Sequence, residues 1–243
     1  MKHFWKILLP LVLVILFPLQ TFAAVNAAGG ISVDVLDTVA DFPTRVQVEG
    51  AAPHSALALF VENPAGSVFQ ISVPADEHGN GSREIPSENI RKSGTYFVRQ
   101  DDSSVRSTFQ VFPGEMSPEK SRILADRTNV SANGVDFATV EVRIQDEYEN
   151  PLPFHEVRFV SSRGGDQITA RSNETDEHGQ ISFVVSSSEP GTAYLTATDE
   201  TVAEVLPERL AIRFGYDRFG YARMAQANSI GGDPILLAQA VSL

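Results

Sequence analysis

The chain has 243 residues, which is enough for one large or two modest domains, and its 42% hydrophobic content is ordinary for globular protein. It carries 31 Asp and Glu against 19 Lys and Arg, a formal net charge of −12. An acidic surface repels phosphate backbones and anionic lipid, so we expect no nucleic-acid partner. Because there is no cysteine, disulfides, thiol catalysis, cysteine metal sites and lipid attachment at a lipobox are excluded.

The N-terminus has the features of a secretory signal peptide. MKHFWK supplies a basic region, residues 7–19 supply an apolar region, and Ala23 and Ala27 are small residues after which cleavage is expected. The apolar run is shorter than the ~20 residues needed to cross a bilayer, so a retained membrane anchor is the weaker interpretation. We predict a signal peptide over residues 1–27 and an exported chain that contacts membrane only if this segment stays uncleaved.

Residues 31–113 contain short runs in which apolar and polar side chains alternate. Turn residues such as Asn63-Pro64-Ala65-Gly66 separate the runs, and helical periodicity is absent. A period of two is expected of strands with one buried and one wet face. Strands spaced this closely predict an antiparallel sandwich. The predicted strands are 31–36, 45–48, 56–61, 68–73, 95–99 and 107–112.

Residues 114–120, which include Pro118, predict a short linker that restricts the angle between its neighbours. Residues 121–216 then repeat the alternating pattern and predict a second antiparallel sandwich. Its predicted strands are 122–125, 139–145, 156–160, 167–170, 181–186, 193–198 and 209–214.

The clearest alternation is that of Val140, Val142 and Ile144 with polar neighbours, and a polar turn with Asn150 and Pro151 follows it. Asn bonds its own backbone, and Pro fixes φ while lacking an amide donor, so both favour a turn. We predict a β-hairpin or a crossover at this point, with nothing in it that is chemically reactive.

Three short motifs occur twice, in the same order and at a nearly constant offset of 95 to 100 residues. Chance rarely produces such an order, so the chain is predicted to be a tandem repeat of one fold. The pairs are Asp41-Phe42-Pro43-Thr44 with Asp136-Phe137-Ala138-Thr139, Asp76-Glu77-His78-Gly79 with Asp176-Glu177-His178-Gly179, and Gly94-Thr95-Tyr96 with Gly191-Thr192-Ala193-Tyr194.

The motifs of residues 119–216 also occur in a characteristic order. They are Ala-Asn-Gly-x-Asp at 132–136, Asp146, Asn150-Pro151, Val157-x-Phe159, Thr175-Asp176-x-x-Gly179 and Gly191-x-Ala193. This order resembles the bacterial immunoglobulin-like domain, group 1 (Big-1), of invasins and intimins. The resemblance implies an Ig-like β-sandwich and adhesion-related display at a bacterial surface. One departure is Glu149, where that family usually has Gly. Residues 31–113 resemble bacterial Ig-like and macroglobulin-type sandwiches more loosely.

The repeated Asp-Glu-His-Gly places a carboxylate beside an imidazole, which suggests metal or acid–base chemistry. Neighbouring side chains on a strand point to opposite faces, however, and a metal needs three or four converging ligands. In a tight turn Asp accepts backbone N–H bonds and Gly takes a positive φ. We therefore predict structural turns at Asp76, Gly79, Asp176 and Gly179, with no metal and no cofactor. His155 lies next to a predicted strand, and we expect it to be packed or exposed rather than catalytic.

Five acids could supply oxygen ligands for calcium at domain edges: Asp146, Glu147, Glu149, Asp199 and Glu200. Their spacing matches no calcium-binding loop, so we expect solvated acidic loops. The sequence also lacks a nucleophile elbow, a zinc-protease helix motif and a phosphate-binding glycine loop. We therefore expect no enzyme.

Alternation stops after residue 216, and residues 217–243 are predicted to be a tail that is either flexible or a short helix. The whole pattern predicts a non-enzymatic surface or envelope protein, an Ig-like stalk or adhesion module with an unknown protein or glycan partner. The alternative is a soluble periplasmic or secreted module that binds glycan or an envelope protein. Tyr148, Phe154 and Tyr194 are candidate contact aromatics for the alternative, although we expect Tyr194 to pack in the core.

Overall fold

A computed structural model describes residues 30–100 and 106–216 of the chain. The predicted signal peptide and the predicted tail lie outside the described residues. The described chain is nearly all strand, with one short 3₁₀ turn at Ser87–Asn89, and its strands form two β-sandwiches in series. The predicted all-β fold class is confirmed.

The first sandwich is built from eight described strands. They are β1 (Ser32–Val35), β2 (Thr38–Val39), β3 (Thr44–Glu49), β4 (Ala56–Glu62), β5 (Val68–Pro74), β6 (Gly81–Ile85), β7 (Gly94–Gln100) and β8 (Arg106–Phe112). A three-stranded sheet in the order β1-β3-β6 packs on a five-stranded sheet in the order β2-β8-β7-β4-β5.

The second sandwich is built from nine described strands. They are β9 (Arg122–Ala125), β10 (Asn129–Ser131), β11 (Phe137–Arg143), β12 (Val157–Ser161), β13 (Asp166–Ala170), β14 (Gln180–Ser187), β15 (Gly191–Asp199), β16 (Glu204–Val205) and β17 (Leu210–Gly215). One sheet has the order β13-β14-β11-β9, and the other has the order β10-β17-β15-β12 with β16 beside β15.

Two strand pairs depart from the predicted antiparallel arrangement, because β2 runs parallel to β8 and β10 runs parallel to β17. In each sandwich the first strand pairs in one sheet, and the chain then crosses to the other sheet and runs beside its last strand. These parallel strands have two and three residues. So short a run has no readable period of two, which is why the sequence did not predict β2 or β10. The sequence also missed β6, where Ile85 is the one buried residue, and the two-residue β16.

Each sandwich has a core of its own, because the alternation places every second side chain between the two sheets. Val46 and Val48 are almost fully buried in the first core, and Val140, Val142 and Ile144 are fully buried in the second. Burial of apolar surface stabilises such cores by about 25 cal/mol per Å², and without disulfides it is the main stabilising term.

The path from β11 to β12 resolves the alternatives that the sequence left open. Strand β11 pairs with β9 and β14, whereas β12 pairs with β15 in the opposite sheet. The connection is therefore a crossover between the sheets, and its first turn, residues 146–150, lies at the end of the second sandwich that faces the first.

Candidate functional site

The two sandwiches meet where loop 146–150 of the second lies against loops 39–42 and 90–93 of the first. We call this contact the joint. Its members are Asp41, Arg91, Lys92 and Ser93 from the first sandwich and Asp146, Tyr148 and Asn150 from the second.

Loop 146–150 is shaped by the side chain of Asp146. Its Oδ1 atom accepts the N–H of Tyr148 at 2.9 Å and the N–H of Asn150 at 2.8 Å, while the Asp146 N–H donates to the carbonyl of Asn150 at 3.0 Å. Glu149 takes the left-handed conformation, with φ +62°. The loop is thus closed by its own hydrogen bonds, and the side chains of Tyr148 and Asn150 point toward the first sandwich.

The side chain of Asn150 makes three hydrogen bonds, two of which join the two sandwiches. Its Nδ2 atom donates to the Arg91 carbonyl and to Asp146 Oδ2, each at 2.7 Å, and its Oδ1 accepts the N–H of Ser93 at 2.9 Å. Asn150 is 2% exposed. A buried amide with its donors and acceptor satisfied fixes a geometry, because breaking any one bond leaves a desolvated polar group.

Tyr148 packs against the hydrophobic core of the first sandwich although it belongs to the second. The Arg91 guanidinium lies 5.2 Å from the centre of its ring, a cation–π distance. Its hydroxyl hydrogen-bonds the carboxylate of Asp41, and its carbonyl accepts from Lys92 Nζ at 2.7 Å. Arg91 Nε also donates to Asp41 Oδ1 at 3.1 Å, so one carboxylate, one guanidinium and one phenol form a closed triangle.

The triangle shifts the pKa of each of its members. The hydrogen bond from Tyr148, followed by that from Arg91, lowers the pKa of Asp41. The same bond to Asp41, followed by burial, raises the pKa of Tyr148, and the bond to Asp41 raises the pKa of Arg91. All three shifts favour an ionised Asp41 with a protonated phenol and guanidinium.

Asp146 also ties the connecting segment to the second sandwich. Its Oδ2 atom accepts the N–H of Gly114 at 2.8 Å, Met116 forms an isolated bridge with it, and Ser117 N–H donates to the Gln145 carbonyl at 2.8 Å. Asp146 is 1% exposed. The expectation of a solvated acidic loop is therefore wrong for Asp146, whose oxygens accept hydrogen bonds from backbone N–H groups of the loop and of the segment and from the side-chain amide of Asn150.

The two Asp-Glu-His-Gly motifs occupy loops 76–80 and 176–180, which share the geometry of loop 146–150. Asp76 Oδ1 accepts the N–H groups two and four residues on, both at 2.8 Å, and Asp176 Oδ1 does the same at 2.9 Å. Gly79 and Gly179 have φ +82° and +68°. Both histidine rings are about 70% exposed and face only the adjacent glutamate. Within residues 30–100 and 106–216, no three metal-binding side chains converge.

His155 and Asp199 form a buried pair that the sequence did not predict. His155 Nδ1 lies 2.5 Å from Asp199 Oδ2, the imidazole is 13% exposed, and the carboxylate is fully buried. The N–H of Thr201 donates to the other carboxylate oxygen at 3.0 Å. The expectation of a solvated acid is thus wrong for Asp199 as well. The residues lie 44 apart in the chain, so no local pattern could have paired them.

The three candidate aromatics have different environments. Tyr148 lies in the joint, whereas Phe154 is 67% exposed and Tyr194 is 52% exposed. The expectation that Tyr194 packs in the core is wrong. Its neighbours Ala193 and Leu195 are fully buried, so Tyr194 lies at the outward position of the alternation on β15.

Comparisons with known proteins fit this architecture. Residues 120–206 match the family model of the bacterial Ig-like domain (group 1). The resemblance predicted for the second sandwich is confirmed, and this Ig-like domain contributes loop 146–150 to the joint. No curated protein matches the chain. Among the described residues, no helix has the length and apolar character needed to cross a bilayer.

Solved structures of similar fold include that of InvD from Yersinia pseudotuberculosis, which is 12% identical with a TM-score of 0.54. The match covers 77% of this chain and 58% of the InvD chain. Invasin, a bacterial integrin-binding protein, is 16% identical with a TM-score of 0.45 and covers 77% of this chain and 40% of its own. The D0–D1 domain of intimin is 17% identical with a TM-score of 0.35, and the match covers 76% of this chain and 97% of the intimin chain. The chain thus spans less than two thirds of the invasin and InvD structures.

Proposed function

We propose that this chain is an exported, non-enzymatic module of a bacterial cell surface or envelope, in which two Ig-like sandwiches in series act as a stalk and contact unit of the invasin and intimin type. Residues 31–113 and 121–216 are the two units, residues 114–120 connect them, and an unknown protein or glycan is the partner. The observation that carries the proposal is the joint, because it holds the two units at a fixed angle, as a spacer requires.

The joint supports a spacer better than a flexible tether for a physical reason. A tether needs a connection with few buried contacts, so that the units move independently. Here Asn150 is buried across the boundary and Tyr148 packs on the neighbouring core. The residues that the sequence singled out are structural in this proposal. They form tight turns, in which Asp76 and Asp176 accept backbone N–H groups and Gly79 and Gly179 take a positive φ.

The decisive variant for the spacer is Asn150→Ala, measured by small-angle X-ray scattering. Removing the amide leaves the Ser93 N–H and the Arg91 carbonyl without partners, a loss of roughly 1–3 kcal/mol at the joint. We expect a broader distribution of interatomic distances, because the units then sample several angles. Asn133→Ala is the matched control, since its Oδ1 accepts only the nearby N–H groups of Val135 and Asp136.

An unchanged distance distribution in Asn150→Ala contradicts the fixed joint. Tyr148→Ala provides a second variant that leaves the hydrogen bonds of loop 146–150 in place, since these use the Tyr148 backbone. It is expected to broaden the distribution as well.

A soluble periplasmic or secreted binding module is the second candidate, and the exposed rings of Phe154 and Tyr194 favour it. Aromatic side chains on an exposed surface are typical of contact sites. Fractionation of the native host separates the two candidates. Retention in the envelope or at the surface supports the stalk, and recovery as free periplasmic or secreted protein supports the binding module.

A further inference from the structure

Strand β5 is an open edge of the first sandwich. It ends the five-stranded sheet and, among the strands that the structure describes, it pairs with β4 alone. Alternate N–H and C=O groups from Val68 to Ser72 therefore point away from the sheet, whereas the Pro74 carbonyl lies against Gly81 of β6. Such a row of backbone groups is a template for another strand, and proteins usually protect it with charge, proline or a bulge.

The other edge strands with four or more residues carry that protection, and β5 does not. Charged residues lie on each of the others: Asp34 on β1, Arg83 and Glu84 on β6, Arg122 on β9, Arg158 on β12 and Asp166 on β13. Strand β5 reads VFQISVP, with no charge, and it is the longest of these edges. Its one proline, Pro74, is at the very end. Val, Phe and Ile also have high strand propensity, so the sequence of β5 favours pairing.

An apolar patch on the outer face adjoins this edge. Val68 is 47% exposed and Phe97 is 52% exposed, and Glu62 lies between them as the register partner of both. On the next row, the Arg99 guanidinium lies 5.3 Å from the centre of the Phe60 ring. The patch thus extends from the edge over three strands and contains one acid and one base.

We propose that β5 pairs antiparallel with β5 of a second copy of this chain, about a two-fold axis at Ile71, so that two five-stranded sheets become one ten-stranded sheet. With the axis at Ile71, Gln70 of one copy lies opposite Ser72 of the other, on the outer face. Phe69 lies opposite Val73 on the inner face. The inward and outward alternation of both strands is preserved, and no two like charges meet.

This pairing is self-complementary, which is the reason for choosing a second copy as the partner. An isologous contact uses the same patch on both subunits, so each position must be compatible with its symmetry mate. The uncharged run of β5 meets that condition at each pair from Phe69 to Val73, whereas β6 or β12 would bring Arg83 or Arg158 into a like-charged edge. The pairing does not depend on the stalk proposal, because it uses none of the side chains that form the joint.

Sedimentation of the full chain over a range of concentrations tests the proposal. We expect reversible dimers at high micromolar concentration, because a single strand edge forms an interface at the weak end of the known range. Gln70→Lys combined with Ser72→Lys places lysines opposite each other twice, and we expect at least about a tenfold weaker dimer. Thr108→Lys is the matched control, an exposed position on β8 of the same sheet. It should leave the dimer unchanged.

The proposal is overturned by a wild-type chain that stays monomeric throughout. It is overturned as well by a second result, a double-lysine variant that dimerises as well as the wild type. The second result would assign the association to another part of the chain. Loss of the dimer in Thr108→Lys would point to face-to-face packing of the sheets and would equally contradict edge pairing.

Cysteine cross-linking tests the register directly, since the natural chain has no cysteine. Chains with Gln70→Cys are mixed with chains carrying Ser72→Cys under mild oxidation. Residues directly opposite on antiparallel strands have Cα atoms about 4.5–5.5 Å apart, within disulfide range. We expect cross-linked dimers mainly in the mixture and few with either chain alone. Equal cross-linking in all three samples, or none in any, contradicts the axis at Ile71.

Discussion

Glu149 is a residue at which the second sandwich departs from the usual pattern of the bacterial Ig-like domain that residues 120–206 match, and its backbone shows the consequence. It has φ +62°, close to the +68° of Gly179 at the same place in the equivalent loop. A residue with a Cβ atom is strained in this conformation by roughly 1–2 kcal/mol. We therefore predict that Glu149→Gly raises the free energy of unfolding of the second sandwich by about 1 kcal/mol in urea titrations. Glu147→Gly, two positions earlier, lacks this strain and should destabilise. If Glu149→Gly destabilises the sandwich as well, strain at this position is not the controlling term.

The faces of β11 give a second prediction at the same scale. Val142 is fully buried, whereas Arg143 is partly exposed and pairs with Glu141. Val142→Asp places an unpaired charge in the second core and should unfold that sandwich, a loss of several kcal/mol. Arg143→Asp should change the free energy of unfolding by less than about 1 kcal/mol, because a surface ion pair contributes little. Circular dichroism during thermal unfolding measures both variants, and equal damage from them would contradict the assignment of faces.

Four loops of this chain are one structural element used repeatedly. In loops 63–67, 76–80, 146–150 and 176–180, the first residue is Asp or Asn, its side-chain oxygen accepts the N–H groups two and four residues on, and the fourth residue has positive φ. Asp-x-x-Gly and Asn-x-x-Gly are local signals, so the sequence predicts three of these turns from residue type alone.

Nothing local distinguishes loop 146–150 as part of the joint, since Arg91 and Ser93 lie more than fifty residues away from Asn150. The long strands were predictable for the same reason that the turns were, whereas contacts between distant loops were not.

The same element provides a matched test of local strain against crowding. Gly66 and Gly79 have nearly equal φ, +80° and +82°. A Cβ atom at Gly66 meets nothing within 4 Å, whereas one at Gly79 lies 2.3 Å from the carbonyl oxygen of Ala51. Gly66→Ala should therefore destabilise the first sandwich by about 1–2 kcal/mol, the left-handed strain alone. Gly79→Ala should add a further ~1–3 kcal/mol from the clash. Urea unfolding measures the difference, and equal losses would show that loop 76–80 moves away from Ala51 freely.

At the scale of the whole molecule, the contacts of the joint set the angle between the two sandwiches. Because one of these contacts uses an ionised carboxylate, we expect the angle to depend on pH. The pKa of Asp41 is lowered from its ordinary value of 3.8 by the hydrogen bonds from Tyr148 and Arg91. A lowered pKa means that the contribution of this carboxylate is fully present above pH 3.8 and is lost as the pH falls through the lower folded value. The pKa of Tyr148 is raised from 10.0 by its bond to Asp41, so its contribution is present below pH 10 and is lost as the pH rises through the higher folded value. The triangle is thus intact across the neutral range.

Scattering measured from pH 7 downwards checks this prediction, with circular dichroism at each pH to show that both sandwiches are still folded. We expect the distance distribution of the wild type to stay constant to about pH 4 and to broaden below it, as Asp41 becomes protonated. In Asp41→Asn the carboxylate is absent at every pH, so its distribution should already be broad at pH 7 and should change less on acidification. Asp34→Asn, an exposed carboxylate on β1, should behave as the wild type. A wild-type distribution that stays narrow until the cores themselves unfold would show that Asn150 and the packing of Tyr148 hold the angle without the ionised carboxylate.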